Sequence, residues 1–66
     1  MNPSELYLSV LTSFPDVLTV EELSQALHVS TKTAYRLVRE NKIRFIKIGR
    51  SYRIPKAHLL TYLKLV

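Results

Sequence analysis

The ten residues from Ser30 to Arg39 carry the side chains with the clearest chemistry in the sequence. At about 100° per residue, a helix over this stretch separates its apolar side chains from its cations. One side holds Ala34, Leu37 and Val38, and the opposite side holds Lys32, Arg36 and Arg39. Thr33 and Tyr35 border the cations and add hydroxyl groups, which can hydrogen-bond to phosphate oxygens or base edges. The stretch therefore has one side suited to packing and one suited to a polyanion.

The basic charge is concentrated in one segment of the chain. Residues 1–31 contain four acidic residues and no Lys or Arg, whereas residues 32–56 contain nine Lys or Arg and one acidic residue. Such a concentration is typical of a surface that binds nucleic acid. A basic face that is merely solvated is the alternative that composition leaves open.

Composition excludes several other classes of protein. With 66 residues and 47% hydrophobic content, the chain is expected to form one small folded domain. The lack of cysteine excludes disulfides and thiolate metal sites, and one glycine cannot supply a glycine-rich phosphate loop. Neither His28 nor His58 has a partner at a ligand spacing, so we expect no enzyme, metal or cofactor. No apolar run is long enough for a membrane span and no secretory signal is evident, so we expect a cytoplasmic protein.

Four helices are predicted, and the second and third lie close together in the sequence. Their expected ranges are about 4–14, 20–27, 31–40 and 56–65. Thr19 and Glu22 form a capping box at the start of the second helix, and Ser30 is a suitable N-cap for the third. Only a short turn separates these two helices, so they must cross sharply. The pair therefore predicts a helix-turn-helix, in which the second helix conventionally enters the major groove of DNA.

A β-hairpin is predicted between the third and fourth helices. Residues 43–48 and 52–54 are rich in β-branched and aromatic side chains, and Gly49 lies between them. We predict a three-residue loop over 49–51, because it keeps apolar and basic side chains on separate faces. The expected pairs are Ile48 with Tyr52, Ile46 with Ile54, and Lys47 with Arg53.

This register would place two cations side by side, with Arg50 at the tip of the hairpin. Like charges opposite each other are unfavourable in a free sheet, but a phosphate bound between the two cations would make their arrangement favourable. The hairpin is therefore interpreted as a wing that contacts the DNA backbone or a minor groove. The alternative is the ordinary solvent-exposed face of a hairpin.

Both ends of the chain carry more apolar side chains than a single packed face needs. Residues 1–17 are expected to form a helical extension packed on a domain of residues 18–66. The extra leucines of this extension either cover the core or contact another protein. In the last helix Leu60 lies outside the predicted inward stripe and is expected to be exposed; Leu60 and Leu65 either mark a partner surface or are ordinary surface leucines.

Three segments give the chain a family resemblance: L-T-V-E-E-L at 18–23, V-S-T-K-T-A-Y-R-L at 29–37, and G-R-S-Y-R-I-P at 49–55 followed by a helix. The run from Leu18 to Leu63 resembles the excisionase family of DNA-binding domains, within the winged-helix group that includes mercury-resistance-type regulators. The resemblance implies a mainly α winged helix-turn-helix with a small hairpin. Residues 1–17 lie outside the family core, and the lack of a long C-terminal dimerisation helix argues against a ligand-sensing regulator of the mercury-resistance type.

The resemblance also implies where DNA would be bound and to what end. Together with the basic stripe and the hairpin, it assigns DNA contacts to Ser30, Thr31, Lys32, Thr33, Tyr35, Arg36, Arg39, Lys47, Arg50, Ser51 and Arg53. Family members include recombination directionality factors, which bend DNA and help an integrase or recombinase to excise a mobile element. Others regulate transcription of phage or plasmid genes. We expect a protein that is monomeric in isolation, with cooperative binding on DNA left open. An adaptor that binds proteins through the N-terminal helix is the alternative of another class.

Overall fold

The computed structural model describes residues 2–64, and it contains the four predicted helices and the hairpin in the predicted order, with one further strand. The elements are α1 (Pro3–Ser13), β1 (Val17–Leu18), α2 (Val20–Leu27), α3 (Thr31–Arg39), β2 (Ile46–Ile48), β3 (Ser51–Pro55) and α4 (Lys56–Tyr62). The strands form one antiparallel sheet in the order β1-β3-β2. Helices α2 and α3 form the helix-turn-helix, and β2, β3 and their loop form the wing. The predicted fold class, a mainly α winged helix-turn-helix, is confirmed.

The start of each helix in the helix-turn-helix is fixed by a side-chain cap. Thr19 Oγ1 accepts a hydrogen bond from the Glu22 N–H at 3.1 Å, and Glu22 Oε1 accepts one from the Thr19 N–H at 2.9 Å. Ser30 Oγ accepts a hydrogen bond from the Thr33 N–H at 3.1 Å. These caps satisfy backbone donors that the first helical turn leaves free. Both helices therefore start where the sequence predicts.

The turn between α2 and α3 depends on a left-handed backbone at His28, with φ of 56°. The His28 N–H donates to the Gln25 carbonyl at 3.3 Å, and the Val29 N–H donates to the Ser24 carbonyl at 3.0 Å. These bonds close the last turn of α2 and redirect the chain at once. The turn is thus short enough to hold α3 firmly against α2.

The hydrophobic core lies between the helices and the inner face of the sheet. Its buried members are Val10, Leu18, Val20, Leu23, Ala34, Val38, Ile43, Ile54, Leu59 and Leu60. Helix α1 contributes Val10 and packs against α4. The N-terminal helix therefore shares the core of the helix-turn-helix.

The end of the chain differs from the sequence prediction in two ways. Helix α4 ends at Tyr62, not at 65, and Leu65 and Val66 lie outside the described residues. The expectation that Leu60 is exposed is wrong, because it is only 5% exposed. Helix α1 packs against α4, so this helix has a second covered side that the single-stripe prediction did not include.

The predicted hairpin register is also wrong. The loop has two residues, Gly49 and Arg50, and the observed pairs are Ile48 with Ser51, Lys47 with Tyr52, and Ile46 with Arg53. Gly49 has φ of +60°, a conformation that favours glycine and is typical of the first position of a two-residue hairpin loop. The glycine thus starts the loop, and the register follows from it.

The strand boundaries differ as well. Strand β2 begins at Ile46 instead of residue 43, because its pairing with β3 starts at Ile46; Ile43 is buried in the core before the strand and is 1% exposed. Strand β1 was not predicted; it pairs Val17 with Pro55 and Leu18 with Ile54. The other helix boundaries agree with the prediction to within one residue.

Among the described residues, no helix combines the length and the hydropathy that a bilayer span requires.

Candidate nucleic-acid interface

Helix α3 has the two faces expected from its sequence. Ala34 and Val38 are buried against the core, and Leu37 is half-buried. On the other side, solvent reaches Thr31, Lys32, Tyr35, Arg36 and Arg39. No acidic residue lies in the first turn of the helix, so nothing there offsets its positive N-terminal end. The exposed face of α3 therefore combines side-chain cations with a favourable helix dipole at its start.

The hydroxyl groups at the start of α3 are partly engaged within the helix. Ser30 Oγ caps the Thr33 N–H and also lies 3.0 Å from Thr33 Oγ1, to which it donates. Both hydroxyls therefore have a hydrogen-bond partner within the helix. The exposed side chains of Thr31 and Lys32 take no part in this cap. Ser30 therefore caps α3, and a contact between its hydroxyl and a ligand would have to be made in addition to this cap.

The wing presents its basic residues on two faces. Antiparallel partners share a face, so Lys47 lies with Tyr52, and Arg53 lies with Ile46 on the other face. Lys47 Nζ is 5.5 Å from the centroid of the Tyr52 ring, within range of a cation–π interaction. The predicted phosphate grip between Lys47 and Arg53 is therefore wrong. Arg50, in the loop, remains exposed at the tip.

Aromatic contacts hold the wing against α3. The rings of Tyr35 and Tyr52 have centroids 6.2 Å apart and meet edge to face at 71°. Tyr52 also meets Phe45 edge to face, with centroids 5.0 Å apart. Sequence reasoning did not identify Tyr52 or Phe45 as functional residues. Their aromatic character was visible, but nothing in their spacing indicated that they join the wing to α3.

A polar cleft of about 150 Å³ lies between the start of α2, helix α3 and the wing. It is lined by Thr19, Val20, Glu21, Tyr35, Arg50, Ser51, Tyr52 and Arg53. The cleft brings Tyr35 of α3 together with three of the predicted wing residues. Glu21 is the carboxylate of this group, and it was not among the site residues predicted from the sequence. The cleft is the place where the two halves of the predicted site meet.

Lys56 does not belong to the basic surface. It is only 9% exposed, and its Nζ donates a hydrogen bond to the Leu11 carbonyl at 2.8 Å. Leu11 lies in the last turn of α1, where carbonyls have no partner within the helix. The Lys56 ammonium thus joins α4 to the C-terminal end of α1. Of the nine cations in residues 32–56, eight remain available: seven are exposed and Arg53 is half-buried.

The two histidines occupy separate positions. His28 is exposed in the turn between α2 and α3, and His58 lies on α4 with its Nδ1 buried and without a hydrogen-bond partner. In the part of the chain described by the structure, no group of three or more His, Cys, Asp or Glu residues is placed to hold a metal ion.

Comparison with known protein families gives one result. A family model described as "Helix-turn-helix domain" matches residues 17–64. No curated protein and no solved structure matches the chain significantly. The matched range begins with β1 and includes α2, α3, the wing and α4, so it contains every residue of the candidate interface.

Proposed function

Since the chain belongs to this family of helix-turn-helix domains, which typically bind DNA and are not enzymes, we propose that it recognises a specific duplex sequence with α3 and the wing. The N-terminal half of α3 lies in the major groove, where Lys32, Thr33 and Arg36 contact base edges. Ser30, Thr31, Tyr35 and Arg39 contact the adjacent backbone. Arg50, Ser51 and Arg53 hold the wing on the flanking DNA, and Lys47 adds a cation on the other face of the wing.

The observation that carries this proposal is the joining of two basic elements into one surface. Tyr35 and Tyr52 are in contact, so the exposed cations of α3 and those of the wing cannot separate freely. A basic face that is merely solvated would not require a contact between the two elements. Two cationic elements at a fixed spacing fit an extended polyanion with regular phosphates.

Salt titration tests the proposal. If six to eight cations neutralise phosphates, log affinity falls with log salt concentration at a slope of roughly −5 to −7. Duplexes would be recovered from a random pool by repeated selection and then titrated at several salt concentrations. The variant Arg39→Gln, at a residue that we assign to the DNA backbone, should flatten the slope by about one unit. The control Lys64→Gln removes an exposed cation beyond α4 and should leave the slope unchanged. A flat slope for the wild-type protein, or no enrichment of any sequence, would contradict the proposal.

The biological role that we propose is excisionase-like: an architectural factor that bends DNA beside an attachment site and assists an integrase. Regulation of transcription of a phage, plasmid or other mobile element is the alternative. The three sequence segments in the helix-turn-helix and the wing support both roles equally. Bend measurements on the selected site would favour the first role, and an adjacent integrase gene would do the same. A site that overlaps a promoter and is bound without bending would favour the second.

An adaptor function is a second candidate because α1 keeps apolar side chains in solvent. Leu8 is 58% exposed and Leu11 is 38% exposed. An apolar groove between α1 and α2 is lined by Leu6, Ser9, Val10, Ser13, Phe14, Gln25, Ala26 and His28. In the excision role, the exposed face of α1 that carries Leu8 and Leu11 would contact the integrase. The double variant Leu8→Ser, Leu11→Ser should then reduce cooperative binding with the integrase and leave binding of the isolated protein to DNA unchanged.

A further inference from the structure

The outer face of the wing is more apolar than a DNA-contacting hairpin requires. Because paired residues share a face, Ile48 and Ser51 lie on this face together, followed by Ile46 and Arg53. Ile48 is 61% exposed and Ile46 is 49% exposed. The opposite face of the sheet packs on the core through Leu18 and Ile54, which are fully buried. Two aliphatic side chains thus remain in solvent next to the tip of the wing.

The tip itself is narrow. Ile48 directly precedes the loop, and Gly49 has no side chain. A Cβ built on Gly49 would have no heavy atom within 4 Å, so the tip projects into open space. A projecting and narrow tip is what a minor groove about 6 Å wide can admit.

The charges around the two isoleucines indicate the occupant of this face. Arg50 follows Ile48 at the tip, Arg53 lies beside Ile46 on the same face, and Lys47 is exposed between them on the other face. This surrounding fits a polyanion. A stable protein interface buries about 800 Å² on each partner, far more than two isoleucines can supply. Apolar side chains among cations are instead typical of proteins that insert a wedge between base pairs from the minor groove.

We propose that Ile48 is such a wedge: it enters the minor groove beside the site of α3 and partly unstacks one base step, with Ile46 packed behind it. The proposal rests on the proposed function, since it names what the wing does on the bound duplex. Arg50 and Arg53 would hold the phosphates on either side of the opened step. The unstacking bends the duplex towards the major groove at that step.

The test uses the full chain and a selected duplex with 2-aminopurine placed at successive positions along the flank of the wing. This base fluoresces more strongly when it is unstacked. Wild-type protein should raise the fluorescence at one step and bend the duplex, as measured by energy transfer between dyes at its ends. Ile48→Ser should abolish the rise and reduce the bend. It should also weaken binding roughly tenfold, as expected from losing burial of about 55 Å² of apolar surface. Ile48→Leu should retain the rise.

The control Leu8→Ser removes an aliphatic side chain of similar exposure from α1 and should change neither signal. If the wild type binds and Ile48→Ser gives the same fluorescence and bend, the wedge is contradicted while DNA binding stands. If the wild type enriches no duplex, the proposed function fails and the wedge fails with it. A concentration-dependent dimer of the free protein that Ile48→Ser abolishes would instead assign this face to contact between copies and overturn the wedge.

Discussion

The Tyr52 ring lies edge-on to the Tyr35 ring, with 6.2 Å between their centroids, and this contact joins the wing to the exposed, basic side of α3. Tyr52 is also in edge contact with Phe45, just before β2, and receives the Lys47 ammonium on its ring. One side chain thus links both strands of the wing to the helix. The spacing between the two basic elements depends on it.

Replacing Tyr52 with alanine should therefore affect both stability and DNA binding. The loss of a half-buried aromatic ring with two edge contacts is expected to cost about 2 kcal/mol of unfolding free energy. Urea denaturation would measure it. Tyr52→Phe keeps the ring and should remain close to the wild type in stability and affinity. A Tyr52→Ala protein with unchanged affinity at a temperature where it is folded would show that the link does not position the wing.

Arg36→Ala and Arg50→Ala should have different effects on specificity. If Arg36 contacts a base, its removal should cost about 1–3 kcal/mol on the selected site and much less on other sequences. If Arg50 contacts the DNA backbone or the minor groove, its removal should weaken binding to all duplexes alike. Affinities for the selected site and for a scrambled duplex, both measured at one salt concentration, would separate the two effects. Equal losses on both duplexes for Arg36→Ala would remove it from the base-contacting set.

Lys56→Met should destabilise the fold without changing the salt dependence of DNA binding. Methionine retains the apolar stem but leaves the Leu11 carbonyl without its donor, at an expected cost of about 1–2 kcal/mol. Lys64→Met removes an exposed cation instead and should leave the stability within about 0.5 kcal/mol of the wild type. Thermal unfolding of both variants would show the difference. A reduced salt slope for Lys56→Met would mean that this lysine contacts DNA after all.

His28→Gly should stabilise the protein. The left-handed backbone at His28 strains a residue that carries a Cβ, and glycine removes that strain at a cost in unfolded-state entropy. The expected net gain is about 0.5–1 kcal/mol. Asn41 has a similar φ of 58°, but the short polar side chain of asparagine can hydrogen-bond locally in this conformation, so Asn41→Gly should gain less. Chemical denaturation of the two variants would compare the gains, and a loss of stability in His28→Gly would point to an unrecognised role for the imidazole.

Thr19→Ala should cost about 1 kcal/mol of stability, because the Glu22 N–H loses its acceptor at the start of α2. The matched control is Thr12→Ala in α1, where the hydroxyl donates to the Leu8 carbonyl within the helix. Such back-bonding does not stabilise a helix, so that variant should be nearly neutral. Equal losses for the two variants in a thermal melt would argue against the capping box as a source of stability.

The sequence by itself determined the helix-turn-helix and its chemistry. The capping residues Thr19 and Ser30 fix where α2 and α3 begin, because their hydroxyls serve amides only three residues away. The faces of α3 follow from helical periodicity, so its buried Ala34 and Val38 and its exposed cations were predictable. These features depend on contacts within a few residues, and the same local signals appear in the sequence and in the structure. Which of the exposed residues touch DNA remains a prediction.

Only the tertiary structure decided the features that join distant parts of the chain. The two-residue strand β1 is too short to leave a periodic signal, and Leu60 is buried because α1 packs against α4. Lys56 leaves the basic surface because the end of α1, 45 residues away in sequence, offers it a carbonyl. The observed register of the wing differs from the predicted one by one residue on β3. Each residue of β3 therefore shares a face with a different residue of β2, and Lys47 and Arg53 lie on opposite faces. Sequence periodicity specifies which side chains share a face of a helix or strand, but the contacts between elements determine which of those faces are buried.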